Sequence, residues 1–242
     1  YEQFSNTDYL KIIISGCLGM GFADALFLYS LSKIGANRIA IINCFEPVSI
    51  YFFSSIMLGT ILSLNQLVGF FVILISILII NYENDKKDIP YEVKRFGMGL
   101  QICAILLSSF GIVLIKPILS NINNLILVQL WVAVFRLFPG FIISWIIFLF
   151  QKNKLSLLKP LKNFKILGKV ILSSGLGTYV ALSFWIIGYA NIDKPPVASI
   201  LGQTSVVFII ILSWVFLKEK ISKIRIISIL FALVGVCLTI LY

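Results

Sequence analysis

The stretch that most constrains this chain is Arg38 to Gly59, an apolar run with a carboxylate, Glu46, followed at once by Pro47. About 20 helical residues, rising ~1.5 Å each, cross the ~30 Å hydrocarbon core of a bilayer. A carboxylate at mid-depth costs roughly 2.5–3.5 kcal/mol on insertion scales, so Glu46 must face a polar cavity or a partner. Pro47 has no N–H to give the carbonyl of Asn43, which leaves an acceptor open one turn before the acid. Two readings stand side by side. Either a kinked helix uses Glu46 to cap a neighbour, or Asn43, Glu46 and the Pro47 kink form part of an ion or substrate site.

Several more runs of this kind follow, and composition agrees with them. The chain has 242 residues, 60% hydrophobic and 12% charged, with mean hydropathy +1.03. That is an all-α, polytopic membrane protein, because a soluble domain of this length does not carry repeated apolar runs of about 18 residues or more. Strand-period alternation is missing, which argues against an outer-membrane barrel. Eight spans are expected, at about 11–32, 39–60, 66–82, 97–117, 125–150, 168–190, 197–217 and 222–241. Glu83 to Arg95, with four acids, four bases and Pro90, reads as a linker.

The spans repeat. Leu58-Gly-Thr-Ile-Leu-Ser63 aligns with Leu217-Lys-Glu-Lys-Ile-Ser222, and the same shift of 159 sets Ala36 on Pro195, Glu46 on Ser205 and Ser76 on Gly235. Ser15-Gly16 falls on Ser174-Gly175. The expected division is a first copy at 1–82, a linker at 83–96 and a second copy at 97–242. The first copy holds three spans and the second five, so two leading helices are expected upstream of Tyr1. An odd number of helices per copy inverts the copies in the membrane, an arrangement common in secondary transporters.

On these residues the chain resembles the drug/metabolite transporter superfamily, in particular its EamA-type permeases. The resemblance rests on Tyr29-Ser-Leu, Gly35-Ala-Asn-Arg38, Glu46-Pro47, Leu58-Gly59 and Gly69 in the first copy. In the second it rests on Gly188-Tyr-Ala190, Pro195-Pro-Val-Ala198, Leu217-Lys-Glu219 and Gly235-Val236. It implies two five-helix repeats, here with the first incomplete, in the cell inner (plasma) membrane. It also implies transport of amino acids, metabolites or amphipathic compounds, needs no cofactor, and leaves a homodimer open. Thr60 stands where the family carries an acid, and Thr204-Ser205 stands in place of a second Glu-Pro, so the carboxylates are asymmetric between copies.

The net charge of +10 comes from loop lysines and arginines, so nucleic acid is not an expected partner. With eight spans, sixteen basic residues fall in the loops 33–38, 83–96, 151–169 and 218–225, against Lys11, Lys116 and Lys194 on the other side. The first side is therefore expected in the cytoplasm and Tyr242 outside, the opposite of the orientation that the resemblance implies.

Charged and polar groups within spans are the site candidates. Asp24 follows Gly16, Gly19 and Gly21, and lies about eight residues, or ~12 Å, from the cytoplasmic end. Glu46 lies at a similar depth on the next span, so the two acids could share a proton; the alternative is that one faces a different polar partner. In the fifth span Gln129, Ala133, Arg136, Gly140 and Ser144 form one small and polar stripe. Arg136 stays charged near the bilayer centre, and either pairs with Asp24 or Glu46 or binds a substrate carboxylate. Lys116 is expected to snorkel to the outer surface. Gln203, one turn after Ser199, is expected to face the cavity, and Trp185 and Trp214 either line a pocket or pack.

A secondary transporter is the favoured class. An intramembrane enzyme is the rival, but histidine is absent, Asp24 is the sole aspartate within a span, and no zinc-protease motif occurs. No catalytic residue or metal site is therefore assigned. A channel or a structural subunit would differ in flux. No phosphate-binding Gly-x-x-x-x-Gly-Lys loop exists, so ATP is not the expected driving force.

Orientation has a direct check. A cysteine placed near Lys159 should be shielded from an impermeant thiol reagent in intact cells, and one placed after Tyr242 should be labelled; the reverse pattern would overrule the charge bias.

Overall fold

Inside hydrocarbon every backbone N–H and C=O must be paired within the protein, which leaves helices as the economical answer for apolar segments of this length. The computed structural model describes residues 4–82, 90–151, 156, 158–205, 208, 211, 212, 215 and 223–240, and among the described residues it contains helices and no strand. Trp214 and the motif Leu217 to Ser222 lie outside the described residues. Among the described residues four stretches, Asn6–Ile34, Tyr91–Asn121, Ile126–Leu149 and Phe164–Asn191, are long and apolar enough to cross a membrane. Shorter apolar helices, such as Glu46–Leu58 and Leu64–Ser76, accompany them.

In chain order, α1 (Asn6–Gly16) continues through a π-helical segment, Cys17–Ala23, into α2 (Asp24–Ile34). Ser5 opens α1: its Oγ accepts from the Asp8 N–H while Asp8 Oδ2 accepts from the Ser5 N–H. Gly35, at φ 79°, turns the chain into α3 (Ala36–Asn43). Next come α4 (Glu46–Leu58), closed by Gly59 at φ 63°, and α5 (Leu64–Tyr82). Both glycines occupy left-handed backbone that a side chain would strain. Then follow α6 (Tyr91–Asn121), α7 (Ile126–Leu149), a 3-10 turn at Lys159–Lys162 and α8 (Phe164–Ser174). A second π-helical segment, Gly175–Val180, joins α8 to α9 (Ala181–Asn191). Finally come α10 (Pro195–Gly202) and α11 (Lys223–Ile240).

Two boundaries differ from expectation. The second span is not one kinked helix: α3 stops at Asn43, Cys44 and Phe45 turn, and α4 starts afresh with Pro47 in its first turn. Proline is well placed there because first-turn N–H groups have no helical acceptor anyway. Helix α6 begins at Tyr91, within the expected linker, because the Pro90 carbonyl accepts from Lys94 N–H and starts the helical ladder.

The helices group into two compact units, Tyr1–Ala25 with Phe110–Asp193 and Leu26–Ser109 with Lys194–Tyr242. Each unit draws on both of the copies expected from sequence. In the first unit α1 and the Cys17–Ala23 segment pack on α7, and α9 packs on α7 as well. Glycine permits the approach. A Cβ at Gly16 would collide with the Arg136 carbonyl and the Pro139 ring, one at Gly21 with Ile143, and one at Gly140 with Met20. Ser15 Oγ adds a bond to the Gly111 carbonyl at 2.6 Å. On the outer side of α7, Phe138, Phe141 and Trp145 are exposed, as suits a lipid-facing surface.

In the second unit α5 packs along α11, and α10 packs on α4. The α5–α11 seam closes at Gly69, where a Cβ would strike Thr239 Oγ1 and stand 2.7 Å from the Gly235 carbonyl. Gly69→Val should therefore destabilise the protein by about 1–3 kcal/mol through overpacking. Gly99→Ala, with nothing within 4 Å of the new methyl, should be neutral or gain up to about 1 kcal/mol of helix preference. Unfolding in detergent micelles distinguishes the two signs.

Candidate functional site

Polar groups gather at one place in each unit. In the second unit they gather where helices are interrupted. Helix α3 is eight residues long and ends in the Cys44-Phe45 turn; α10 is eight residues long and ends in the Gln203-Thr204 turn. The two interruptions bond to each other. Gln203 Nε2 donates to Glu46 Oε2 at 3.3 Å. Glu46 is half-buried in the first turn of α4, where unpaired N–H groups set positive partial charge beside its carboxylate. Pro47 is buried directly behind it. At the end of α3, Asn43 Oδ1 accepts from Gln101 Nε2 at 2.7 Å, and Gln101 is buried on α6. Ser199, buried on α10, gives its carbonyl to the Gln203 N–H.

Sequence reasoning singled out Asn43, Glu46, Pro47 and Gln203, and these lie together with Gln101. Gln101 was missed. Its signal was available, an amide within an apolar run, but nothing in the sequence tied it to Asn43.

In the first unit the centre is Arg136. The α7 stripe is as expected from its spacing through Gln129, Ala133, Arg136 and Gly140, all buried, whereas Ser144 is exposed. Gln129 Nε2 closes the α6–α7 turn by donating to the carbonyls of Ile122 and Asn123, each at 2.7 Å. Arg136 is 0% exposed, and none of its three guanidinium nitrogens has a hydrogen-bond partner. Its Cζ lies 5.2 Å from the centroid of the Trp185 ring on α9, a cation–π contact worth about 2 kcal/mol when desolvated. Trp185 in turn lies 4.4 Å from Tyr189, centroid to centroid. Asp24, exposed at the start of α2, is the counter-charge acting on Arg136. Asp24 belongs to the first unit and Glu46 to the second.

Lys116 departs from its expected place. It is buried, and its Nζ donates to the carbonyls of Tyr189 at 2.7 Å and Ile192 at 2.6 Å. It closes the C-terminal end of α9, where free carbonyls and the helix dipole both favour a cation, and does not reach outward to the surface. Among the described residues no group of three His, Cys, Asp or Glu side chains is placed to hold a metal.

Apolar helices of membrane-spanning length, interrupted helices with bonded polar groups and a charged side chain buried within a span define a multi-pass helical membrane protein. The model of the EamA-like transporter family matches residues 1–82 and 95–241, and the chain belongs to that family. It is thereby a membrane permease of the drug/metabolite type, with the lipid bilayer and a small-molecule substrate as its partners. Seventeen chains of solved structure match it. One, a crystal structure whose description names no function, superposes with a TM-score of 0.72 at 15% identity, covering 97% of this chain and 86% of that chain. At that identity the likeness speaks for the fold alone. No curated protein matches the chain.

Lys116→Met should cost about 1–3 kcal/mol, because the buried Tyr189 carbonyl and the part-buried Ile192 carbonyl lose their donor. A snorkelling lysine would give no measurable loss, so unfolding of the variant in detergent tests the assignment.

Proposed function

We propose that the chain is a secondary transporter that moves small metabolites, amino acids or amphipathic compounds across the cell inner (plasma) membrane by alternating access, coupled to protons at Glu46. The observation that carries this is the matched pair of helix interruptions. Ala36–Asn43 and Pro195–Gly202 have equal length, each ends in a two-residue turn, and they stand 159 residues apart, the shift read from the sequence repeat. Helical residues resume at Glu46 and Ser205, again 159 apart. The π-helical segments at Cys17–Ala23 and Gly175–Val180 are a second pair at nearly the same shift. Family membership supports the same reading.

These pairs support eight spans grouped as copies at 1–82 and 97–242, inverted with respect to each other. Interrupted helices at the interface of such copies put backbone ends and polar side chains at membrane depth, where a substrate or ion exchanges water for protein. Glu46 and Gln203 meet at the two interruptions. Protonation of Glu46 removes a charge-assisted acceptor and turns the carboxyl into a donor, which changes what Gln203 can bond. That is a coupling of proton binding to helix ends that move.

Glu46→Gln keeps the size of the protonated acid and its capacity to bond Gln203, and removes titration. The variant should insert normally and retain exchange of substrate for substrate in proteoliposomes. It should lose accumulation driven by a pH gradient, which for one proton per substrate amounts to about tenfold per pH unit. Gradient-driven uptake at the wild-type level would assign Glu46 a purely structural role.

A further inference from the structure

The first unit holds a group that this mechanism does not use. Arg136 presents three buried guanidinium nitrogens without a hydrogen-bond partner. Such a group is costly unless something accepts from it for part of the working cycle. Its Cζ lies 5.2 Å from the centroid of the Trp185 ring, a contact that favours the charge without accepting from any of its N–H groups. Asp24 acts on the arginine as a counter-charge, yet neither of its oxygens accepts a bond from the guanidinium. We propose that Arg136, backed by Trp185, is the anchor for the carboxylate of a small organic substrate. The inference rests on the transport reading and narrows the substrate class.

Geometry and charge both favour a carboxylate. The planar fork of an arginine matches two carboxylate oxygens with two parallel N–H bonds. Phosphate would match the fork too, but it brings up to two negative charges. Within this unit Lys116 spends its ammonium on the carbonyls of Tyr189 and Ile192, and Asp24 adds negative charge near Arg136. One cation with an acid nearby suits a single carboxylate better than a phosphate. The position of Arg136, on α7 with α1 and α9 packed against it, places the anchor within the span and away from the loops.

The test uses the purified full chain in neutral detergent, with thermal unfolding as the readout. The probes are L-alanine, L-phenylalanine, succinate and pyruvate, each against its amide, with inorganic phosphate as a separate arm. At least one carboxylate should raise the Tm of the wild type while its amide does not. Arg136→Lys keeps the charge but loses the fork, and should require at least tenfold more of that carboxylate for the same shift. Arg136→Met should lose the response altogether, and without ligand it should melt no lower than the wild type, since a buried unpaired cation has been replaced by an apolar side chain. The opposite result overturns the inference: a lower ligand-free Tm in both Arg136→Met and Asp24→Asn, with the carboxylate response intact, would make the arginine half of a structural ion pair. Protection by phosphate alone, or by none of the carboxylates, also overturns it. Should Arg136→Met fail to fold, Arg136→Lys still decides the matter. Flux in proteoliposomes separates this inference from the transport reading. Uptake that is undiminished in Arg136→Lys and indifferent to amidation of the substrate sinks the anchor alone. Carboxylate protection without any flux sustains the anchor and sinks transport.

Discussion

Hydrocarbon offers no hydrogen bonds, and most of this structure follows from that. A helix interrupted in water merely hydrates its ends; one interrupted in a bilayer exposes N–H and C=O groups that cost several kcal/mol each unless protein or trapped polar groups meet them. This chain interrupts two helices in the second unit, after Asn43 and after Gly202, and brings amide and acid side chains to both places. Glu46 at one interruption accepts from Gln203 at the other, and Gln101 bonds Asn43. The turn backbone bonds within itself, Phe45 N–H to the Ile42 carbonyl and Thr204 N–H to that of Leu201, while the polar side chains at the two places pair with one another and with α6.

Lys116 and Arg136, both buried in the first unit, show how differently one constraint can be handled. Lys116 is a compact charge with three donors, and it is spent on carbonyls at the end of α9, a place where the helix leaves acceptors free. Arg136 sits in the middle of α7, where the helix's own carbonyls are already engaged in its ladder, and its fork finds an aromatic face and no acceptor. The first arrangement stabilises a helix end. The second leaves the hydrogen bonds of a buried cation unmet, with the Trp185 ring and the charge of Asp24 as its compensation.

Glycine makes both units dense enough for this. Gly16 lies against the carbonyl of Arg136 and the ring of Pro139, so α1 seats directly on the backbone of α7 at the arginine. Gly69 and Gly235 do the same for α5 and α11. Apolar side chains give little driving force for association in lipid, so close backbone contact and the dispersion it brings take on that role. Some large apolar side chains, such as Phe138 and Phe141, lie on the outer surface.

Several of these features were legible in the sequence alone. Run length and composition determined a helical membrane protein, because only about 20 apolar residues in helical form satisfy their backbone across a bilayer. The shift of 159 sets Ala36 on Pro195, the first residues of two eight-residue helices, and the three- and four-residue steps along α7 mark the face on which Gln129, Ala133 and Arg136 are buried. Glu46-Pro47 marked a disturbed helix, although a proline signals the lost bond and not whether the chain bends or stops. Periodicity tells which way a side chain points from its own helix, but not what stands opposite. Tertiary structure decided that Gln203 meets Glu46 across 157 residues of chain, that Gln101 meets Asn43, and that Lys116 turns inward to α9. Those pairings depend on how helices far apart in sequence are packed, and packing is set by the summed fit of many small contacts that no local pattern of residues records.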